Sequence, residues 1–344
     1  MKKRAYKILD LVFIFTSLIL AGFLFWQFQG NKSSWVVKEK SVEEKNTISL
    51  PYIDKLTGLP SNQEEDLEPI VMTIMIDNNP ESYPQSGLNE AKIVYEAQVE
   101  GGMTRFMAIF AKHQQVEKVG PVRSARPDYF DWAKEYGLPL YVHCGGSPAA
   151  LSLLKTERGL INFDEFYRSS YFWRVNSRYA PYNLYTSSSL WQKAWEDFGR
   201  EAPVWQTFLF GQNITTTPAS KIEVPYTKNF KISWEYEPEK KAYERFVNNK
   251  KHLDDQEETT TASTLIITKN KVKILDDVGR RAISNIGSGE AYIFADGKMT
   301  KGIWKKAKPE FRTRFYDENG TELSVPPGKI WFMSVPEETE VKIF

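Results

Sequence analysis

Cysteine is nearly absent from this chain. Its 344 residues contain Cys144 alone, which excludes an intrachain disulfide and a cluster of thiolate metal ligands. The three histidines, His113, His143 and His252, are far apart in the sequence, so a histidine-rich zinc site is not expected. No G-x-S-x-G, H-E-x-x-H or P-loop motif occurs. We therefore expect no metal and no cofactor, and we favour a binding protein over an enzyme without excluding the enzyme.

A strong excess of charge of either sign is also lacking. The formal net charge is +1, and four positive charges lie within the first seven residues. The rest of the chain is therefore slightly acidic and has no overall basic field for nucleic acid. Hydrophobic residues make up 41% and aromatic residues 14% of the chain, which predicts folded domains with substantial cores.

One long hydrophobic run is present near the N-terminus. Residues 8–28 read ILDLVFIFTSLILAGFLFWQF, and as a helix they would extend about 31 Å, the thickness of a bilayer core. The basic residues 1–7 favour a cytoplasmic N-terminus. We predict a single-pass anchor in the cytoplasmic membrane with the body outside the cytoplasm. The alternatives are a cleaved signal peptide, although no A-x-A site follows the run, and a buried helix.

The polarity and hydrophobic patterning of the remaining chain divide it into a tether and two domains. Residues 29–68 are polar, with turn signals such as TGLPSNQEEDLEP, and are predicted to be a flexible tether. Residues 69–200 alternate strand-like runs, such as 69–77 and 119–123, with helix-like stretches, such as the amphipathic 187–198 closed by Gly199. This alternation predicts an α/β or α+β domain. Residues 220–344 contain short strand-like runs separated by turns, which predicts a mostly-β second domain.

Several ordered blocks carry a family resemblance. They are VMTIMIDNNPESYPQSGLNEAKIVYEAQVEGGMTRFMAIF, VGPVRSARPDYF, HCGGSPAAL, NFDEFYR and RYAPYNLYT, followed by GSGEAYIFADGKMTKGIWKK and NGTELSVPPGKIWF. With these blocks the chain resembles the YerB-like (DUF3048) family of bacterial lipoproteins, a family of unknown function. The resemblance implies an envelope location and a two-domain body, but no chemistry. The chain departs from it at Phe23, where a lipid-bearing Cys would follow Leu20-Ala21-Gly22, and at Tyr182, where relatives would have His.

Charged and polar residues cluster at the predicted strand ends. Ligand sites in α/β folds collect there, several arginines can bind phosphate or carboxylate, and a Gly-Gly-Ser turn can present backbone N–H groups to an anion. The predicted ligand-binding residues are Glu96, Glu100, Arg105, Arg123, Ser124, Arg126, His143, Gly145, Gly146, Ser147, Asp164, Arg174, Arg178, Asn183 and Tyr185. The competing interpretation is structural: Arg105 paired with Glu100, and Arg123 or Arg126 paired with Asp164.

The sequence is compatible with three functions. The first is an extracytoplasmic protein that binds an anionic glycan, a lipid carrier or a peptide carboxylate. The second is an enzyme acting on phosphorylated glycan or lipid carriers, because TRFMAIF, VRSARP and GGSPAAL are similar in outline to LytR-CpsA-Psr phosphotransferases. The third is a structural or regulatory partner of a membrane protein. The most useful structural observation is whether five arginines converge in one cleft with Glu96 and His143 at its wall: Arg105, Arg123, Arg126, Arg174 and Arg178.

Overall fold

The computed structural model describes residues 52–212 and 217–344. The predicted flank 1–7, the predicted anchor 8–28 and the first part of the predicted tether lie outside the described residues. Within the described ranges, no helix is both long enough and apolar enough to span a bilayer.

The described residues are mostly β-structure with three short α-helices. The helices are α1 (Asp128–Ala133), α2 (Pro148–Leu154) and α3 (Ser188–Phe198). The strands are β1 (Tyr52–Ile53), β2 (Pro60–Ser61), β3 (Val71–Asp77), β4 (Ile93–Gln98), β5 (Thr104–Ala111), β6 (Leu140–His143), β7 (Ile161–Asp164), β8 (Trp173–Arg174), β9 (Leu184–Tyr185), β10 (Thr217–Pro218), β11 (Lys221–Thr227), β12 (Phe230–Glu237), β13 (Ala242–Val247), β14 (Lys250–Lys251), β15 (Thr261–Ala262), β16 (Thr264–Asn270), β17 (Val272–Ile274), β18 (Arg281–Ile283), β19 (Gly287–Ala295), β20 (Lys298–Lys306), β21 (Arg314–Tyr316), β22 (Ile330–Pro336) and β23 (Lys342–Ile343).

A mixed sheet of eleven strands runs through the body. Its order is β10-β20-β19-β16-β22-β4-β5-β3-β6-β7, and β21 pairs with β20 at one side. Strands β3, β4, β5 and β22 are buried along their whole length, so both of their faces are covered. This burial explains why their sequences read as continuous apolar runs rather than as alternating patterns.

The centre of this sheet joins the two halves of the chain. Strand β22 pairs in parallel with β4, with Tyr95 opposite Phe332. The segments predicted as separate domains, 69–200 and 220–344, therefore share one sheet. The C-terminal segment is mostly β, as predicted, and its described part contains no α-helix.

Two layers cover the faces of the central sheet. On one face lies a six-stranded sheet of order β14-β13-β12-β11-β23, with β15 beside β13; its Trp234 packs edge-on against Trp331 with ring centroids 5.1 Å apart. Helix α3 covers the same face through Trp191. On the opposite face, Trp132 of α1 stacks on Tyr95. Aromatic residues thus supply both cores.

Part of the predicted tether is folded. Strands β1 and β2 form a hairpin within residues 52–68, and Lys92 makes ion pairs of 2.8 and 2.7 Å with Asp54 and Asp66. Leu56 is fully buried, so this stretch packs on the body and is not a flexible linker.

One predicted strand did not form. Residues 119–123 make isolated bridges, Val119 to Thr186 and Val122 to Ile76, instead of a regular ladder. Pro121 has no N–H to donate, and Gly120 has a φ of 152°, so the segment is irregular. This irregular course places Arg123 beside Asp77 at the end of β3.

Candidate functional site

A cleft of about 410 Å³ lies where strands β4 and β5 meet the loop 123–127 and the start of α2. Seven of the predicted residues line it, and we call it the arginine cleft. These seven are Glu100, Arg105, Arg123, Ser124, Arg126, Gly146 and Ser147. Asp77, Val278 and Arg280 are among the residues that complete the wall.

Arg105 is the most unusual residue of this cleft. It is the second residue of β5 and is only 5% exposed, yet its Nε has no hydrogen-bond partner among the described residues. Nη1 donates to the carbonyl oxygen of Ser124 at 2.9 Å, and the nearest carboxylate oxygen, on Asp77, is 4.0 Å from Nη2. Burial, together with repulsion from Arg126 and Arg123, lowers the pKa of Arg105 to about 10. Its positive charge is incompletely compensated.

The two neighbouring arginines are held by carboxylates. Arg123 Nε donates to Asp77 at 2.8 Å, and Arg126 Nε donates to Glu100 at 2.8 Å. Burial alone would raise the pKa of Glu100, but the hydrogen bond and charge of Arg126 lower it below the usual value. The ion pairs expected from the sequence as the structural alternative, Arg105 with Glu100 and an arginine with Asp164, are not the ones observed.

Positive charge exceeds negative charge along the cleft wall. The wall contains four arginines, Arg105, Arg123, Arg126 and Arg280, against the two carboxylates of Asp77 and Glu100. Asp276, outside the wall, pairs with Arg280 at 2.8 Å, so Arg105 is the arginine of the wall whose charge has no close carboxylate. In a partly desolvated cleft such an excess favours an anion.

The Gly-Gly-Ser turn plays a different role from the one predicted. The amide of Gly145 donates to Asp164 Oδ1 at 2.8 Å, and the amide of Ser147 donates to the carbonyl oxygen of Ala125. The Ser147 hydroxyl accepts from the Ala150 amide and caps α2. Two of the three amides are thus used internally, and the turn supports the loop that carries the arginines.

A second cleft, of about 970 Å³, adjoins the arginine cleft. The two share Arg123, Ser124 and Gly146 in their walls. Arg174 lines the second cleft and is held by Asn183 at 2.9 Å and Glu165 at 3.3 Å. Burial and the neighbouring Glu165 raise the pKa of the Cys144 thiol in this wall to about 11, so Cys144 is protonated and unreactive at neutral pH.

Several predicted residues lie outside both clefts. Glu96 is buried in the core, where it accepts from Thr104, Arg245 and Trp331. Buried His143 has both ring nitrogens occupied, 2.7 Å from the carbonyl oxygen of Gly145 and from Asn162 Oδ1.

The APYNLYT turn and its neighbour Arg178 are also structural. Arg178 donates to the carbonyl oxygens of Ser82 and Pro84 at 2.8 Å. Buried Asn183 bonds Arg174 and two carbonyls, and Tyr185 stacks on Trp173. The strand-end argument grouped these residues with the site because it could not show which way each side chain points.

Other residues that line the two clefts were not predicted from the sequence. Asp77 ends β3, and its position before the NNP turn was a usable signal. Val278 and Arg280 come from the β17–β18 hairpin, about 150 residues beyond the other arginines in the chain, and Phe166 and Tyr167 line the second cleft. No local pattern marks the hairpin as part of the site. Across the residues that the structure describes, no group of three His, Cys, Asp or Glu is placed to hold a metal ion.

Comparison with known proteins covers nearly the whole described body. Residues 56–201 match the family described as "Protein of unknown function (DUF3048) N-terminal domain", and residues 222–332 match its C-terminal domain. The chain is 33% identical over 290 residues to "Putative lipoprotein YerB" of Bacillus subtilis (strain 168), covering 82% of this chain and 86% of that protein. The crystal structure of YerB protein from Bacillus subtilis superposes with a TM-score of 0.74 at 29% identity, covering 84% of this chain and 98% of that one. The chain therefore belongs to the DUF3048 family and is a YerB-like protein.

Proposed function

We propose that this protein is a membrane-anchored, extracytoplasmic binding protein whose arginine cleft holds the phosphate or carboxylate group of an envelope ligand. The observation that carries the proposal is the state of Arg105. A guanidinium that is almost fully buried, lacks a partner at Nε and sits beside two further arginines is costly to the folded protein. A bound anion would remove that cost.

The neighbouring groups support the same conclusion. Arg123 and Arg126 are fixed by single carboxylates through Nε, which orients their guanidinium groups before a ligand arrives. An anion with several oxygens, such as a phosphate, can accept from more than one of these planar donors at once. Such fixed donors need little reordering on binding.

The membrane location also belongs to the proposal. The hydrophobic run 8–28 is long enough to span a bilayer, and the Bacillus subtilis relative is described as a lipoprotein. A transmembrane helix in this chain and a lipid in the relative would both hold the folded body against the membrane. The body would then meet ligands of the envelope.

The test is titration calorimetry of the full-length chain in detergent with inorganic pyrophosphate and, separately, with citrate. Hydrogen bonds to charged groups contribute about 1.5–3 kcal/mol each, so Arg126→Ala should weaken binding by at least about tenfold. Arg314→Ala is the matched control, because Arg314 is also paired with a carboxylate, Glu322, but does not line the cleft. Wild-type protein that binds neither anion, or equal losses in both variants, would refute the proposal.

A further inference from the structure

Exposed aromatic side chains border the second cleft. Phe166 is 71% exposed and Tyr167 is 82% exposed, and both line its wall. They lie on a 3-10 turn, Glu165–Tyr167, that follows β7. Two adjacent exposed rings at the wall of a cleft form a local apolar patch, and such patches are where ligands make contact.

The turn that presents these rings is fixed in place. Asp164 Oδ1 accepts from the amides of both Gly145 and Phe166, at 2.8 and 3.2 Å. The Phe166 ring covers Gly145, because an added Cβ there would lie 2.9 Å from Cε2 of the ring. Gly145 has a φ of 59°, and so this position needs glycine both for its backbone and for the ring. Phe166 is thus positioned before any ligand binds.

Polar groups face the same space. Lys155 and Asn162 line the cleft and are exposed, and among the described residues Lys155 has no carboxylate within ion-pair distance. Arg174 is held at the wall by Glu165 and Asn183. Aromatic faces combined with amide and ammonium donors suit a pyranose ring, whose C–H face packs on aromatic carbon while its hydroxyl groups accept hydrogen bonds.

The second cleft lies next to the arginine cleft, and this position indicates the class of ligand. Arg123, Ser124 and Gly146 line both this cleft and the arginine cleft. A single extended ligand could therefore place an anionic group among the arginines and sugar rings on Phe166 and Tyr167. Resting on the proposed function, we propose that the ligand is a phosphate-bearing glycan, with its phosphate in the arginine cleft and its adjacent pyranose rings in the second cleft.

The experiment compares two probes of equal charge on the full-length chain in detergent. One is an oligomer of hexosamine units joined by phosphodiesters, and the other is a glycerol phosphate oligomer of the same number of phosphates but without rings. The variants are Phe166→Ala, Tyr167→Ala and the double substitution. Phe311→Ala is the matched control, because Phe311 is also an exposed aromatic residue but lines neither cleft. Each dissociation constant is measured by calorimetry.

Wild-type protein should bind the hexosamine probe roughly 30-fold more tightly than the glycerol probe, if two stacks each contribute a mid-range aromatic pair energy. The double variant should lose this preference while keeping its affinity for the glycerol probe, and Phe311→Ala should keep both. Equal affinity of wild-type protein for the two probes, or an equal loss for both in the double variant, would overturn the inference but leave the anion site intact. Binding of neither probe to wild-type protein would instead refute the proposed function, and this inference with it.

Discussion

Replacing Arg105 by methionine tests whether this arginine serves ligand binding or the stability of the fold. The pKa of Arg105 is lowered to about 10, so its charge destabilises the folded state by about 3 kcal/mol at 1.36 kcal/mol per unit. Because the folded pKa of this base is lowered, the cost is fully present below pH 10 and is relieved as pH rises from about 10 to 12.5. Against this, the variant loses the hydrogen bond to Ser124, which contributes about 1.5–3 kcal/mol.

We therefore expect Arg105→Met to leave the free energy of unfolding unchanged or to raise it by about 1 kcal/mol in ligand-free protein, while anion binding is lost. Methionine keeps much of the side-chain volume, so no large cavity forms. The carbonyl oxygen of Ser124 keeps a second donor, Arg126 Nη1 at 3.4 Å. The assay is urea denaturation at pH 7, with and without pyrophosphate, since a bound anion should stabilise wild-type protein alone.

Arg312→Met is the matched control. Arg312 is equally buried but is paired with Glu135 at 2.8 Å. Burial alone would lower its pKa, but the neighbouring Tyr136 and Glu135 raise it instead. Glu135 keeps a second partner, Lys306 at 2.6 Å, so the cost is that of the lost hydrogen bonds from Arg312 to Glu135 Oε2 and to the carbonyl oxygen of Gln206. At about 1.5–3 kcal/mol for each bond, the variant should be about 3–6 kcal/mol less stable. If Arg105→Met destabilises the protein as much as Arg312→Met, Arg105 is a structural residue and our reasoning about the cleft is wrong.

Three further outcomes follow from other parts of the fold. His252 is buried between Arg245 and Gln85, and burial together with the Arg245 charge holds its pKa well below 6.5. The free energy of unfolding should therefore fall by up to 1.36 kcal/mol for each pH unit below 6.5. Urea denaturation between pH 5 and 7.5 should show a shallower fall in His252→Gln than in wild-type protein. Gly145→Ala should cost about 1–2 kcal/mol because of its positive φ, and calorimetry should show that it also weakens binding of the ringed probe by displacing Phe166; unchanged stability would contradict the structure. Deleting residues 1–28 should release the body from membranes on cell fractionation, whereas a deletant that stays membrane-bound would disprove the anchor.

The sequence alone determined the elements whose signals are local. The apolar run 69–77 predicted β3, and Ser187 followed by an amphipathic stretch ending at Gly199 predicted α3. Burial on both faces and helix termini leave a pattern within a few residues, so no tertiary knowledge is needed. The arginine-rich loop 123–126 could likewise be predicted as part of a site from its local sequence.

Tertiary structure decided which strand-end residues meet. Glu96 and Glu100 are four residues apart, yet one pairs with Arg245 in the core and the other with Arg126 in the cleft. The parallel pairing of β22 with β4 joins segments more than 200 residues apart, and the β17–β18 hairpin adds Arg280 to the cleft wall. Such long-range contacts depend on how the whole chain buries its apolar surface, which no local pattern records. The sequence thus determined the residue types of the site, and the packing of two sheet layers determined which of those residues line the cleft.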